Sequence, residues 1–186
     1  ALAGLYTKLQ AGDEESFMLF GAGSNNNVYA RQEKVFQEIK SYFPNRLNLC
    51  RIPIRLSNSS QTQKNKYSRA RGVIFSLLGV ACAYLMGQRT LYLYENGIGA
   101  INLPYRKSAI GLDHSRSVHP LTLLKVSHLV SELLGENFKV QNPFLFWTKA
   151  EMCKSLAKDE QQSLVSLTMS CDRPHRQQPI QCGYCS

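Results

Sequence analysis

The chain has 186 residues, of which 44% are hydrophobic; this is enough to build one domain with a buried core, and it argues against disorder. Lys and Arg number 22 against 13 Asp and Glu, and the net charge of +9 favours anionic partners such as nucleotides, nucleic acid or acidic protein. The longest apolar run, Val73–Met86, is too short and too mixed to cross a bilayer, so we expect a protein that does not span a membrane.

The first half of the chain is predicted to alternate between helices and strands. Apolar residues at helical spacing indicate a helix over Ala1–Gln10, and the next helix is predicted over Val28–Tyr42. The short apolar run inside Ser16–Gly21 is typical of a buried parallel strand. Leu47–Leu56 is the second strand, and Pro53 inside it indicates a sheet edge or a bulge.

The second half continues this alternation. Pro120 stands at the favoured first position of a helix that Gly135 ends, and Thr148 and Glu151 have the spacing of a capping box at the start of another helix. The segment Glu95–Ser117 has no regular pattern, and irregular segments of this length are usually functional or mobile. The predicted elements are a largely buried helix over Ser68–Met86, a strand over Thr90–Tyr94, a helix over Pro120–Leu134, a short strand over Phe138–Gln141, a helix over Thr148–Ala157 and a last strand over Val165–Met169.

Candidate ligand-binding residues follow the third predicted strand and precede the helix after it. Alternating strands and helices indicate an α/β fold with a parallel sheet, and ligands in such folds bind beyond the carboxyl ends of the strands. Glu95, Asn96 and Gly97 stand at such an end, where they form either a recognition site or a turn that only satisfies backbone geometry. Arg116 and His119 precede a helix N-terminus, which is a ready anion site, although His119 can instead simply cap that helix.

Three of the six cysteines lie in the last sixteen residues and predict a zinc site. Cys182 and Cys185 form a Cys-x2-Cys knuckle, in which Gly183 gives the turn its backbone freedom, and Cys171 supplies a third thiolate. A structural zinc takes four ligands, so either a fourth cysteine follows the last residue, which is the simpler account, or His175 fills that place. Clustered cysteines favour a reducing cytoplasm over a disulfide framework.

Four short features are spread in order along most of the chain. They are Arg31-Gln32 near a helix start, Ser68-Arg69-Ala70-Arg71-Gly72 opening a long helix, Asn142–Glu151 with its Lys-x-Glu, and Ser170-Cys171 followed by Cys182-Gly183-x-Cys185. In this order they resemble the 7-cyano-7-deazaguanine synthases, which are N-type ATP pyrophosphatases of the PP-loop superfamily. The resemblance implies an adenine-nucleotide alpha-hydrolase-like three-layer fold over residues 1–170, followed by an incomplete zinc knuckle at 171–186. It also implies that the family's Ser-Gly-Gly-x-Asp-Ser phosphate loop precedes Ala1 in the full protein.

The chemistry that this resemblance implies is carboxylate adenylation. ATP with Mg²⁺ is cleaved between its α and β phosphates, and a nitrogen nucleophile then attacks the acyl-adenylate. Such a site needs cations around the triphosphate, and the resemblance suggests Arg71 and Lys149 for that role. The expected partners are therefore ATP and a carboxylate-bearing small molecule or conjugate, and Zn²⁺ is the expected structural metal.

Two segments depart from the housekeeping synthases. Tyr94–Pro104 and Ser115–Pro120 look more like the diverged synthase-like proteins of bacterial anti-phage defence systems. Two reactions therefore remain open: formation of a nitrile from a carboxylated deazapurine, and a defence-linked modification of another protein or a nucleotide. The departures favour the second, for which a protein partner from the same operon is a candidate. One alternative is a catalytically degenerate scaffold that binds a partner protein. Another is a tRNA-modifying enzyme of the same superfamily, but that needs a catalytic cysteine pair, and Cys82 and Cys153 are expected inside helices.

Charge alone leaves nucleic-acid binding open. The basic residues are scattered through the chain, and scattered charge is more typical of a solvated surface than of a nucleic-acid groove. Phe144, Phe146 and Trp147 would suit base stacking, but we expect them in the core, where large aromatic side chains usually lie.

Overall fold

The structure is a computed structural model that describes residues 2–12, 15–23, 26–54, 71–103, 116–159 and 161–168. In these ranges the chain has a mixed α/β fold with short parallel strands, as the alternating pattern predicted. No helix in the same ranges is both long and apolar enough to cross a membrane. The elements in chain order are α1 (Leu2–Ala11), β1 (Phe17–Gly23), α2 (Asn26–Tyr42), β2 (Leu47–Pro53), α3 (Arg71–Leu85), β3 (Thr90–Tyr92), α4 (Gly97–Ile101), α5 (Pro120–Leu134), β4 (Lys139–Gln141), α6 (Lys149–Lys158) and α7 (Gln162–Leu167).

The described residues fall into two compact units. One contains residues 2–54 and 154–168, and the other contains residues 71–153. Each unit has its own pair of parallel strands, β1 with β2 in the first and β3 with β4 in the second.

In the first unit, β1 and β2 pair from Phe17 opposite Leu47 to Gly23 opposite Pro53. Helix α1 turns Leu5, Tyr6 and Leu9 inward, which is the apolar face that its periodicity predicted. The Tyr6 hydroxyl donates to Asp159 Oδ2 at 2.9 Å, beyond the end of α6.

Arg46 fixes the chain between α1 and β1. Its guanidinium donates to the carbonyl oxygens of Leu9 and Glu15 at 3.0 Å each and also to that of Gly12. A cation at this place satisfies carbonyls that the end of α1 leaves unpaired and opposes the negative end of the helix dipole. Arg46 is therefore a structural residue rather than part of a basic surface.

In the second unit, a small core lies between α3, α5 and the β3–β4 pair. β3 and β4 pair from Thr90 opposite Lys139 to Tyr92 opposite Gln141. Helix α5 begins with Pro120 and ends at Leu134, as predicted, and Gly135 caps its end with a left-handed φ of 68°. The buried core residues are Val80, Leu123, Val126, Val130, Phe138 and Val140.

Three predictions about elements were wrong. The predicted strand Val165–Met169 is replaced by helix α7, which buries Leu164 completely, and Met169 lies outside the described residues. The segment Glu95–Ser117, predicted to be irregular, contains helix α4 in its described part.

The third wrong prediction concerns burial. Helix α3 was expected to be largely buried, but Val73, Ile74, Leu77 and Leu85 are exposed along one side of it. Its mixture of apolar and small residues does not distinguish a helix covered on all sides from one covered on a single face.

Candidate binding site at the carboxyl ends of two parallel strands

Strands β3 and β4 run parallel, so their carboxyl ends meet at one edge of the sheet. The Leu93 amide donates to the Gln141 carbonyl at 2.8 Å and extends the pairing by one residue past β3. Beyond this bond the chain continues from the two strands into segments that carry Glu95 and Asn142. Ligands of open α/β sheets bind at this position, which makes these two segments the candidate site.

The Asn142 side chain joins the two segments. Its amide nitrogen donates to the Glu95 carbonyl at 2.7 Å, and its oxygen accepts from the Phe144 amide at 3.1 Å and from the Glu95 amide at 3.4 Å. One side chain thus satisfies backbone groups on both segments, which sets the distance between them.

Glu95 and Asn96 form a compact polar pair at the start of α4. Glu95 Oε1 accepts from the Asn96 backbone amide at 3.0 Å and from its side-chain amide at 2.6 Å. Asn96 Oδ1 in turn caps α4 by accepting from the Gly99 amide at 2.9 Å. Among the described residues, no hydrogen bond reaches Glu95 Oε2.

Gly97 allows the two segments to touch. Its amide donates to the Trp147 carbonyl at 3.0 Å. A Cβ atom on this residue would lie 2.1 Å from the Leu145 carbonyl oxygen, which is far inside van der Waals contact. Gly97 is therefore needed because the two backbones approach closely. From the sequence, Gly97 was interpreted only as a glycine of a turn, and that interpretation did not include this requirement.

The segment after Asn142 presents aromatic side chains. Phe144 is 2% exposed and contacts the rings of both Tyr94 and Trp147 edge-on, at centroid distances of 5.5 and 5.2 Å. Its predicted core position is confirmed. The same prediction was wrong for Phe146, which is 95% exposed, and for Trp147, which is 39% exposed. These residues lie in a tight turn, where neighbouring side chains necessarily point in different directions.

An open cleft of about 990 Å³ adjoins this site between α5 and β4. Asn142 and Leu145 line one end of it, together with Pro120 at the start of α5. His128 and Glu132 on α5 are among the other residues that line it. The volume is within the range of small-molecule sites in proteins.

The remaining predicted ligand residues lie at helix starts. Lys149 is the exposed first residue of α6, and Arg71 is the first residue of α3, although its side chain is outside what the structure describes. Arg116 is exposed, and its carbonyl accepts from the His119 amide at 3.1 Å. His119 Nδ1 accepts from the Leu121 amide at 3.2 Å, so this residue does cap α5.

The capping box at α6 is confirmed. Thr148 donates to Glu151 Oε2 from its amide at 2.7 Å and from its hydroxyl at 2.8 Å, and the Glu151 amide donates back to the Thr148 hydroxyl at 3.2 Å. Lys149 is thereby held at the start of a fixed helix.

The predicted zinc ligands Cys171, Cys182 and Cys185 lie outside the described residues. Cys50 and Cys153 are free thiols, and within the described ranges no group of three or more His, Cys, Asp or Glu side chains is placed to hold a metal ion. In comparisons with known proteins, no protein-family model matches the sequence, and a search of curated proteins finds no match. The geometry described above is therefore the basis for inferring function.

Asn142 is the site residue whose role sequence reasoning missed. It stands directly after a predicted strand and directly before a proline, a place where an Asn side chain commonly bonds nearby backbone. That signal indicates a local turn, and the Phe144 amide bond agrees with it. The bonds to Glu95, 47 residues away, could be found only in the folded chain.

Proposed function

We propose that this chain belongs to an enzyme that uses ATP to adenylate a carboxylate, which a nitrogen nucleophile then attacks. The observation that carries the proposal is the Glu95–Asn96 pair, fixed by Asn142 at the carboxyl ends of two adjacent parallel strands. Such an edge is where α/β enzymes bind nucleotides and their substrates. The resemblance of the chain to PP-loop ATP pyrophosphatases supplies the reaction type.

In this proposal the acidic and basic residues bind different parts of the ligands. Glu95 Oε2, as a carboxylate oxygen, suits a hydrogen-bond donor of the substrate or Mg²⁺ and repels phosphate. Lys149 and Arg71 are the proposed cations for the triphosphate, and Arg116 is a further candidate. His119 uses Nδ1 for its helix cap, so its neutral form carries a proton on Nε2 that can be donated to a ligand.

The experiment that tests the proposal is pyrophosphate release from ATP with magnesium, with and without candidate carboxylates. We expect Lys149→Ala and Arg71→Ala each to reduce the rate roughly 10- to 100-fold, because each removes a charge-assisted bond to phosphate. Lys158→Ala, at the other end of α6, is the matched control and should leave the rate unchanged. A folded, zinc-replete protein that neither binds ATP nor releases pyrophosphate would exclude the adenylating function.

The finer architecture belongs to the same proposal. We infer a PP-loop three-layer domain over 1–170 and a structural zinc held by Cys171, Cys182 and Cys185, where the metal contributes to folding and not to catalysis. Metal analysis should find about one zinc per chain, and Cys182→Ser or Cys185→Ser should abolish it. Cys50→Ser is the control, because Cys50 lies in β2 and should not change the zinc content.

A second candidate function is supported by the exposed apolar residues. Helix α3 exposes Ile74 and Leu85 at 45% and 84%, and α5 exposes Leu124 and Leu133 at 66% and 74%. Where exposed apolar residues form a contiguous surface, they often mark protein–protein contact. A non-catalytic scaffold that binds a protein partner, for instance in an anti-phage defence system, would use such faces without ATP turnover.

A further inference from the structure

The turn formed by residues 142–147, here called the aromatic turn, presents two rings to solvent. Phe146 is 95% exposed, the highest value among the exposed large hydrophobic residues of the described chain, and Trp147 beside it is 39% exposed. A phenylalanine ring held in water costs free energy that burial against a ligand would recover. Isolated exposed apolar residues are common, so the argument depends on the surroundings of the turn.

The aromatic turn is fixed on every side. Asn142 ties its first residue to Glu95, and the Trp147 amide donates to the Phe144 carbonyl at 3.0 Å across the turn. The Trp147 carbonyl accepts from Gly97, and the buried Phe144 ring supports the Trp147 ring edge-on. The Phe146 ring is therefore carried on a rigid backbone, so a ligand that covers it pays little ordering cost at that position.

Lys149 supplies a positive charge close in sequence to the aromatic turn. Lys149 is exposed two residues after Trp147, and it forms no ion pair with any described residue. The Glu151 carboxylate keeps its negative charge and is held by capping bonds to Thr148. Exposed rings followed two residues later by an exposed lysine complement a ligand that joins a flat π-system to a negative group, which describes a nucleotide.

We propose that the aromatic turn is the base-stacking part of a nucleotide site, in which Phe146 and Trp147 cover the base and Lys149 binds the phosphates. This rests on the proposed use of a nucleotide and adds the place where its base binds. The turn contacts Gly97 directly, so the nucleotide would lie beside the Glu95–Asn96 pair at the same edge of the sheet. A protein partner could instead cover these rings with apolar side chains and would need no phosphate. The experiment below distinguishes this alternative from a nucleotide.

Trp147 is the single tryptophan in the 186 residues, so its fluorescence reports on this turn directly. The experiment titrates the protein with ATP, with AMP and with inorganic tripolyphosphate as the probe that has no base. We expect ATP and AMP to quench Trp147 fluorescence saturably and tripolyphosphate to leave it nearly unchanged. Phe146→Ala should weaken ATP binding roughly 5- to 100-fold, and Phe146→Tyr should retain it.

Leu133→Ala is the matched control, because Leu133 is 74% exposed in the last turn of α5 and should not affect nucleotide binding. Equal quenching by tripolyphosphate, or ATP affinity unchanged in Phe146→Ala, would overturn the proposal. A change in Trp147 fluorescence on addition of a protein partner, but not on addition of any nucleotide, would also overturn the proposal. Base-dependent quenching without pyrophosphate release would support the base-stacking site and exclude the adenylating function. Pyrophosphate release without base-dependent quenching would support the adenylating function and exclude the base-stacking site.

Discussion

Two serine hydroxyls close the outer edge of β4. Ser127 Oγ accepts from the Val140 amide at 2.8 Å, and Ser131 Oγ, one helical turn later on α5, accepts from the Phe138 amide at 2.9 Å. These amides face away from β3, on the side where another strand would otherwise pair. The serines thus satisfy backbone groups that would otherwise form an open sheet edge.

We expect Ser131→Ala to destabilise the protein by about 1–3 kcal/mol, because the amide of the buried Phe138 would lose its hydrogen-bond acceptor. Ser131→Thr keeps the hydroxyl and should cost much less. Denaturant unfolding of the two variants measures the difference. Equal free energies of unfolding for Ser131→Ala and Ser131→Thr would mean that water replaces the hydroxyl at the edge of β4.

Because of Tyr6, we expect the stability of the fold to depend on pH in the alkaline range. Burial, foremost, raises the pKa of its hydroxyl above the usual 10.0, and the Asp159 carboxylate adds to the shift. The folded state then holds this proton more tightly than the unfolded chain. The stabilisation is fully present below about pH 10 and is lost as the pH rises through the higher folded pKa.

Tyr6→Phe removes both this proton and the hydrogen bonds to Asp159 and from Gln10. We expect a loss of about 1–2 kcal/mol near neutral pH, with a smaller decline in stability above pH 10 than in the natural protein. Unfolding free energies measured across that range check the sign. Tyr92→Phe, which changes a half-exposed ring, is the control and should leave the free energy of unfolding near neutral pH nearly unchanged.

At the scale of elements, the contact between α4 and the aromatic turn depends on Gly97. Gly97→Ala would place a methyl group against the Leu145 carbonyl, and the two segments would have to separate. We expect a loss of roughly 1–3 kcal/mol in unfolding free energy, together with weaker nucleotide binding at the site. Gly12→Ala, whose Cβ would have the Glu15 side chain at 3.8 Å as its nearest neighbour among the described residues, should change stability little.

The sequence predicted most elements because their signals are local. Pro120, Gly135 and the Thr148–Glu151 capping box each act within one helical turn, and all three lie where the pattern placed them. Helix α7 was missed because the apolar residues of a six-residue segment fit a strand as well as one turn of helix. Packing against α2 decided between them, with Leu164 as the fully buried residue.

At the scale of the whole molecule, two helices carry apolar residues on exposed faces. We expect Leu85→Gln and Leu133→Gln to change the free energy of unfolding by less than about 0.5 kcal/mol and to reduce self-association at high concentration. Leu123→Gln, at a position only 4% exposed, is the contrasting variant and should cost several kcal/mol. Light scattering and denaturant unfolding provide the two measurements.

The sequence by itself determined the α/β class, the order of most helices and strands, and the positions of their caps, because these depend on residues close together in the chain. Only the tertiary structure decided that Phe146 is exposed beside a buried Phe144 and that Asn142 joins Glu95 across 47 residues. It also decided that Tyr6 meets Asp159 across 153 residues. Contacts at such separations are fixed by how whole elements pack, and the packing of elements leaves no local pattern in the sequence.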